Sequence, residues 1–207
     1  MNITHAVKEE VVGETLSAIF NRQKELMEKY HDIELRSGLL QTEDCPVNLD
    51  DKRGQARIKD FSWRITEEVG EALDALRNEG GEEGLLHFNE ELIDGLHFLT
   101  EMTILTGIDN SKWTMKEFVD NAKKNLSLEE LVTLFVQELG MMCNCLKNKP
   151  WKQTHMKTNK ENFYQHVESV WRVYISILTS QGLSEEDIAD VYLKKSQVNK
   201  FRQRSNY

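Results

Sequence analysis

The sequence predicts an all-α protein: a four-helix core made of two repeated helix-hairpins, with further helices at its N- and C-terminal ends. Three observations predict it. Apolar residues recur at the 3.6-residue helical period over long stretches, and no convincing alternating strand appears. Only two prolines occur, Pro46 and Pro150. A twelve-residue segment also recurs: Glu67 to Asn78 reads EEVGEALDALRN, and seventy residues later Gln137 to Asn148 reads QELGMMCNCLKN. Both copies carry Glu second, Gly fourth, Leu tenth, then a base, then Asn.

The elements follow in order. An apolar stripe of Val12, Leu16, Ile19, Phe20 and Leu26 predicts a first helix from about Val7 to Glu34. A polar loop, about Gln41 to Arg57, follows, with Pro46 and Gly54 as breakers. A second helix runs from near Asp60 to Gly80-Gly81, and a third from about Glu83 to Thr106, stopped by Gly107. Ser127 with Glu130, Thr158 with Glu161 and Ser184 with Asp187 have capping-box spacing, so helices start near 128, 159 and 185. Pro150 and Trp151 fall in a connector. About six helices result. Beyond the repeated segment the next helices align with a shift of 75: Phe88 with Phe163, Phe98 with Val173, Gly107 with Gly182 and Ile108 with Leu183. The expected organisation is one domain over 1–207, with a first hairpin at about 60–107, its degenerate repeat at about 128–182 and a basic tail at 192–207.

Bulk composition narrows the function. With 207 residues the chain can bury one core. A net charge of −9 argues against nucleic acid as a partner, because such binding relies on many Lys and Arg at phosphates. There is no apolar run long enough for a membrane span, and Met1 to Glu10 lacks an apolar signal core, so the cytoplasm is expected. Cys45, Cys143 and Cys145 are odd in number and form no C-x-x-C, which reads as reduced thiols.

The two copies differ where it matters. Glu71 is replaced by Met141, Glu91 by His166 and Asp94 by Ser169, while Glu68 keeps its counterpart Glu138. A solvated charged face has no reason to lose its acids as a set; a metal site confined to one copy does. Glu68 and Glu71 share one helix face, and Glu91 and Asp94 repeat that spacing on the next helix. A short turn makes the helices antiparallel, so the four carboxylates can converge. Converging anions repel one another, and a cation resolves this. Oxygen ligands without Cys or a clear His suit Mg²⁺ or Mn²⁺, which also takes phosphate oxygens. Glu67 adjoins the set as a candidate to orient or deprotonate a water; an exposed helix charge fits it equally well. His97 reads as core or as support for Asp94, not as a ligand. Near the end, Lys195, Asn199 and Arg202 stand at i, i+4 and i+7, one helix face suited to phosphate. Basic residues favouring a helix C-terminus are the simpler reading of the same pattern.

The E-E-x-x-E and E-x-x-D pair on consecutive helices resembles the all-α nucleotide pyrophosphatase superfamily, the MazG-like and dimeric dUTPase group. The ending resembles the K-N-x-x-N-x-x-R-Q-x-x-G-Y tail of dimeric dUTPases and phage dCTP/dUTP pyrophosphatases. Lys195, Asn199, Arg202, Gln203 and Tyr207 match it; Ser196 stands where Asn is usual and Asn206 where Gly is usual. The resemblance implies metal ligands Glu68, Glu71, Glu91 and Asp94, a catalytic Glu67, and phosphate binding by Lys195, Asn199, Arg202 and Tyr207. It implies base contacts by Gln23, with Trp63 a further candidate, and a homodimer. Trp151-Lys152 also resembles an element of related enzymes. The implied reaction is Mg²⁺-dependent hydrolysis of a deoxynucleoside triphosphate, dUTP first, to monophosphate and pyrophosphate. dCTP or another deoxynucleotide is the alternative substrate. A non-catalytic nucleotide sensor or partner-binding helical protein is the alternative of another kind.

Overall fold

The computed structural model describes residues 15–37 and 45–204, with side chains for 15–30 and 45–202. Those residues form seven helices and no strand: α1 (Thr15–Ser37), α2 (Lys52–Asn78), α3 (Gly81–Thr106), α4 (Met115–Asp120), α5 (Leu128–Cys145), α6 (Lys160–Ser180) and α7 (Glu185–Arg204). The expected all-helical class holds. The expected helix start at Val7 and the site candidate Tyr207 lie outside the described residues, as does the Gln203 side chain.

Capping chemistry sets several boundaries. Ser127 and Glu130 form a reciprocal capping box at the start of α5, and Ser184 and Asp187 bond each other's backbone N–H in the same way before α7. Gly107 ends α3 in the left-handed conformation. Two boundaries and one element differ from expectation. First, α2 begins at Lys52, eight residues before Asp60. Gly54 is therefore no breaker but a buried residue of the first turn, where a Cβ would lie 2.3 Å from the Asn48 carbonyl oxygen. It lets the preceding loop cross tightly against the helix. Second, Asn159 caps α6, accepting from Asn162 N–H at 3.1 Å. The expected cap, Thr158, turns inward: its hydroxyl donates to Leu49 O and accepts from Gln55 Nε2. That long-range network outcompetes the local cap. Third, the short α4 was not expected, although Thr114 caps it by accepting from Glu117 N–H at 3.1 Å.

The repeated segments form two hairpins, α2–α3 and α5–α6, and both contribute to one apolar core. Trp171 of α6 lies at its centre. It stacks on Phe20 and Phe118 and donates from its indole to Thr103 Oγ1 at 2.8 Å. The terminal helices α1 and α7 pack on each other and on α3. The first hairpin is thus flanked by α1 and α7, which supply further walls of the site.

Candidate functional site

Glu68 on α2 and Glu91 and Asp94 on α3 each offer a carboxylate oxygen, all within 4.8 Å of one another. The convergence has a local cause. Gly95 lies on α3 beside Asp94, and a Cβ there would come within 2.1 Å of Tyr174 Oη and 3.2 Å of Glu68 Cβ. The missing side chain lets α2 close onto α3 at this level and admits Tyr174 of α6. The Tyr174 hydroxyl donates to Leu92 O at 2.7 Å, fixing α3 from behind.

The cluster is electrostatically stressed. The Glu68 carboxyl is pushed up to about 8, first by burial, then by the charge of Asp94, a hydrogen bond with Glu91 and the charges of Glu71 and Glu91. Asp94 also lies above the ordinary range: burial outweighs the opposing pull of Lys195, whose Nζ is 2.7 Å from Asp94 Oδ2. His87, one turn before Glu91, bridges Glu79 and Glu91 at 2.7 Å each, and both carboxylates push its imidazole up. His87 is a residue that sequence reading missed; its i, i+4 spacing to Glu91 was the available signal.

The other candidates sort by position. Glu71 is exposed and outside the three-carboxylate group, although its charge acts on Glu68. Glu67 accepts from Trp63 Nε1 at 2.8 Å and pairs with Arg64 at 3.3 Å. Trp63 is 62% exposed. Gln23, Asn199 and Arg202 line a cavity of about 400 Å³ together with Glu68 and Asp94. The cavity extends along α3 from Asp94 to Glu101, seven residues or about 10 Å at the helical rise. At its far end Phe61 and Phe98 meet edge to face, 6.1 Å between centroids. Neither was singled out from the sequence, because each reads equally well as core.

A buried network holds this far end. Gln23 Nε2 donates to Glu101 Oε2 at 2.9 Å. A carboxylate only accepts here, so the amide orientation is set and Gln23 Oε1 faces the Tyr192 hydroxyl at 2.7 Å and His97 Nδ1 at 2.9 Å. His97 must then donate from Nδ1. Burial, aided by the charge of Lys195, pushes it down to about 3, so it is neutral. It stacks on Tyr192, 3.8 Å between centroids.

The second hairpin shows what the same scaffold does without the acids. Glu138 and His166, the counterparts of Glu68 and Glu91, are hydrogen-bonded, Nδ1 to Oε2, at 2.9 Å. One copy converges carboxylates; the other gives its single carboxylate at these positions an imidazole partner.

A family model described as dUTPase matches residues 15–207. The chain belongs to the dUTPase family. It is a nucleoside triphosphate pyrophosphatase of the dUTP diphosphatase type, and its all-helical hairpins agree with the MazG-like, dimeric-dUTPase architecture. No curated protein and no solved structure is significantly similar to it. For a dUTPase the cavity has a sensible polarity: an acidic end, an aromatic end, and Asn199 and Arg202 of α7 in its wall. No helix among the described residues is long and apolar enough to cross a membrane.

Proposed function

We propose that this dUTPase hydrolyses dUTP to dUMP and pyrophosphate in a Mg²⁺-dependent reaction, with the metal held by Glu68, Glu91 and Asp94 and completed by Glu71. The observation that carries the reading is the three-carboxylate convergence at one end of an aromatic-floored cavity. The group fits a hard divalent ion: its donors are all oxygen, and Glu68, pushed up first by burial and then by the neighbouring acids, stands among carboxylates whose repulsion a cation would offset. When bound, the ion supplies Lewis-acid charge stabilisation at the phosphates.

The chain's own residues do the rest. Asn199 and Arg202 stand in the cavity wall on the face they share with Lys195, and together they bind and orient the phosphate chain. Tyr207 extends that set. Gln23, locked by His97, Tyr192 and Glu101, keeps one amide N–H for the base, and Phe61 and Phe98 exclude water around it. Glu67 orients the attacking water, giving up Trp63 and Arg64 to do so. Trp63 faces solvent in the single chain, so a part in base recognition places it at the rim or across the boundary of a homodimer. The protein acts in the cytoplasm, as one domain, with no nucleic-acid or membrane partner.

A pyrophosphate-release screen over all deoxy- and ribonucleoside triphosphates, with and without Mg²⁺, tests the reading. dUTP should give the highest kcat/KM, and Asp94→Asn should lower kcat by at least about 100-fold, the scale expected for losing a metal ligand. Near-normal Mg²⁺-dependent turnover by Asp94→Asn would remove the carboxylates from the mechanism. A clear preference for dCTP would keep the chemistry and reassign the substrate.

A further inference from the structure

The Lys195 ammonium does not lie free for phosphate: it is 2.7 Å from Asp94 Oδ2, with both side chains about three-quarters buried. Its neighbours on the same face, Asn199 and Arg202, line the cavity. One cationic side chain therefore has two claims on it, a carboxylate of the metal cluster and the phosphates the cavity is built to take. We propose that Lys195 is an exchangeable counter-cation, which occupies Asp94 until a divalent ion binds and is thereby released to the phosphate chain. The proposal rests on the metal reading above and adds a role in ordering the two binding events.

The argument is one of charge and reach. Glu68, Glu91 and Asp94 crowd their oxygens within 4.8 Å, so each gains from any nearby cation. Glu91 has His87 and Asp94 has Lys195. His87 sits at the outer edge, tied also to Glu79, and can stay while Glu91 presents its other oxygen. Lys195 comes from a different helix and approaches the carboxylate that closes the group. A small ammonium on a long flexible stem is suited to such a move, which a planar guanidinium bound at two points is not. An ion and Lys195 compete for Asp94, and the loser of that competition stands one side-chain length from Asn199 and Arg202.

Two measurements on the full-length protein, without nucleotide, test this. The first is metal affinity, read by Mn²⁺ titration with electron paramagnetic resonance of free Mn²⁺. Lys195→Met, which removes the competitor and keeps the stem, should bind Mn²⁺ about tenfold more tightly than wild type, and Glu91→Gln should lose binding. The second is amine reactivity of Lys195 in wild type, read by pulsed acetylation and mass spectrometry. Labelling should rise several-fold on adding Mg²⁺. Unchanged or weaker Mn²⁺ affinity in Lys195→Met, while Glu91→Gln still abolishes binding, overturns the exchange and leaves the metal site standing. Protection of Lys195 on adding Mg²⁺ does the same. Absence of Mn²⁺ binding in wild type and Lys195→Met alike overturns the metal reading along with it.

Discussion

Glu68 carries the tension of the site in one side chain. It stays near Glu91 and Asp94 although its carboxyl is pushed from about 4.5 up to about 8. A carboxyl that holds its proton more tightly when folded binds more protons in the native than in the unfolded state between those two values. The contribution of Glu68 to stability therefore falls as pH rises through that window. Buried His97, held down to about 3, works in the opposite direction up to its ordinary value of 6.5, so the decline should emerge above that: metal-free protein in a chelator should melt at progressively lower temperature from pH 6.5 to about 8. Glu68→Gln, which mimics the protonated form, should flatten that decline and raise Tm at the upper end while abolishing metal binding. Calorimetric scans of both proteins across the window read it directly; parallel slopes would mean that Glu68 is not under strain. Such a pattern, a residue that costs stability and is nevertheless kept, is expected where function requires converging charge. The counterpart residues show that the scaffold can avoid it: Glu138 has His166 at 2.9 Å, and among the described residues no cluster of three acids forms there.

Helices and their contacts show what could be read from sequence. The capping boxes of α5 and α7 were legible because their chemistry is local, three residues apart. The repeat was legible too, and it led to the acids of the first hairpin by comparison with the second. The start of α2 was not legible, because Gly54 answers to Asn48 packed against it. Thr158 was misread for a similar reason: its hydroxyl serves Leu49 and Gln55, far away in sequence. The cavity was the least legible feature. Phe61, Phe98, His97 and Glu101 belong to helices whose periodicity marks them as core or surface, and only the docking of α1 and α7 makes them a wall. Gly95 illustrates how one inter-helix contact governs the site. Gly95→Ala would set a methyl 2.1 Å from Tyr174 Oη, and overpacking of this kind costs about 1–3 kcal/mol. Tyr174→Phe removes the clashing atom at the cost of one buried hydrogen bond, about 1 kcal/mol. Denaturant unfolding should therefore find Gly95→Ala/Tyr174→Phe less destabilised than the sum of the single changes. Strict additivity would mean that α6 does not fix the spacing of α2 and α3.

At the scale of the whole molecule, the two hairpins divide the labour. The second pairs Glu138, the one of the four acids it retains, with the His166 ring and contributes Trp171 and Tyr174 to the shared core, while the first keeps its acids converging between α1 and α7. The native state is thus assembled around a charge imbalance that the unfolded chain does not have. Anything that cancels the imbalance binds the folded form alone and stabilises it by mass action, about 2.7 kcal/mol at a ligand concentration of 100 Kd. For a chain of this length such a gain raises Tm by roughly 5–10 °C. Mg²⁺ added to chelator-treated protein should produce that rise. The rise should be larger at the alkaline end of the Glu68 window than at the acid end, where protons already occupy the carboxylates and must leave before the ion can bind. Thermal unfolding followed by circular dichroism at several Mg²⁺ concentrations and two pH values reads both effects. A Tm that ignores Mg²⁺ at either pH would show that the acids of the first hairpin do not gather around an ion, and the division between the hairpins would then need another cause.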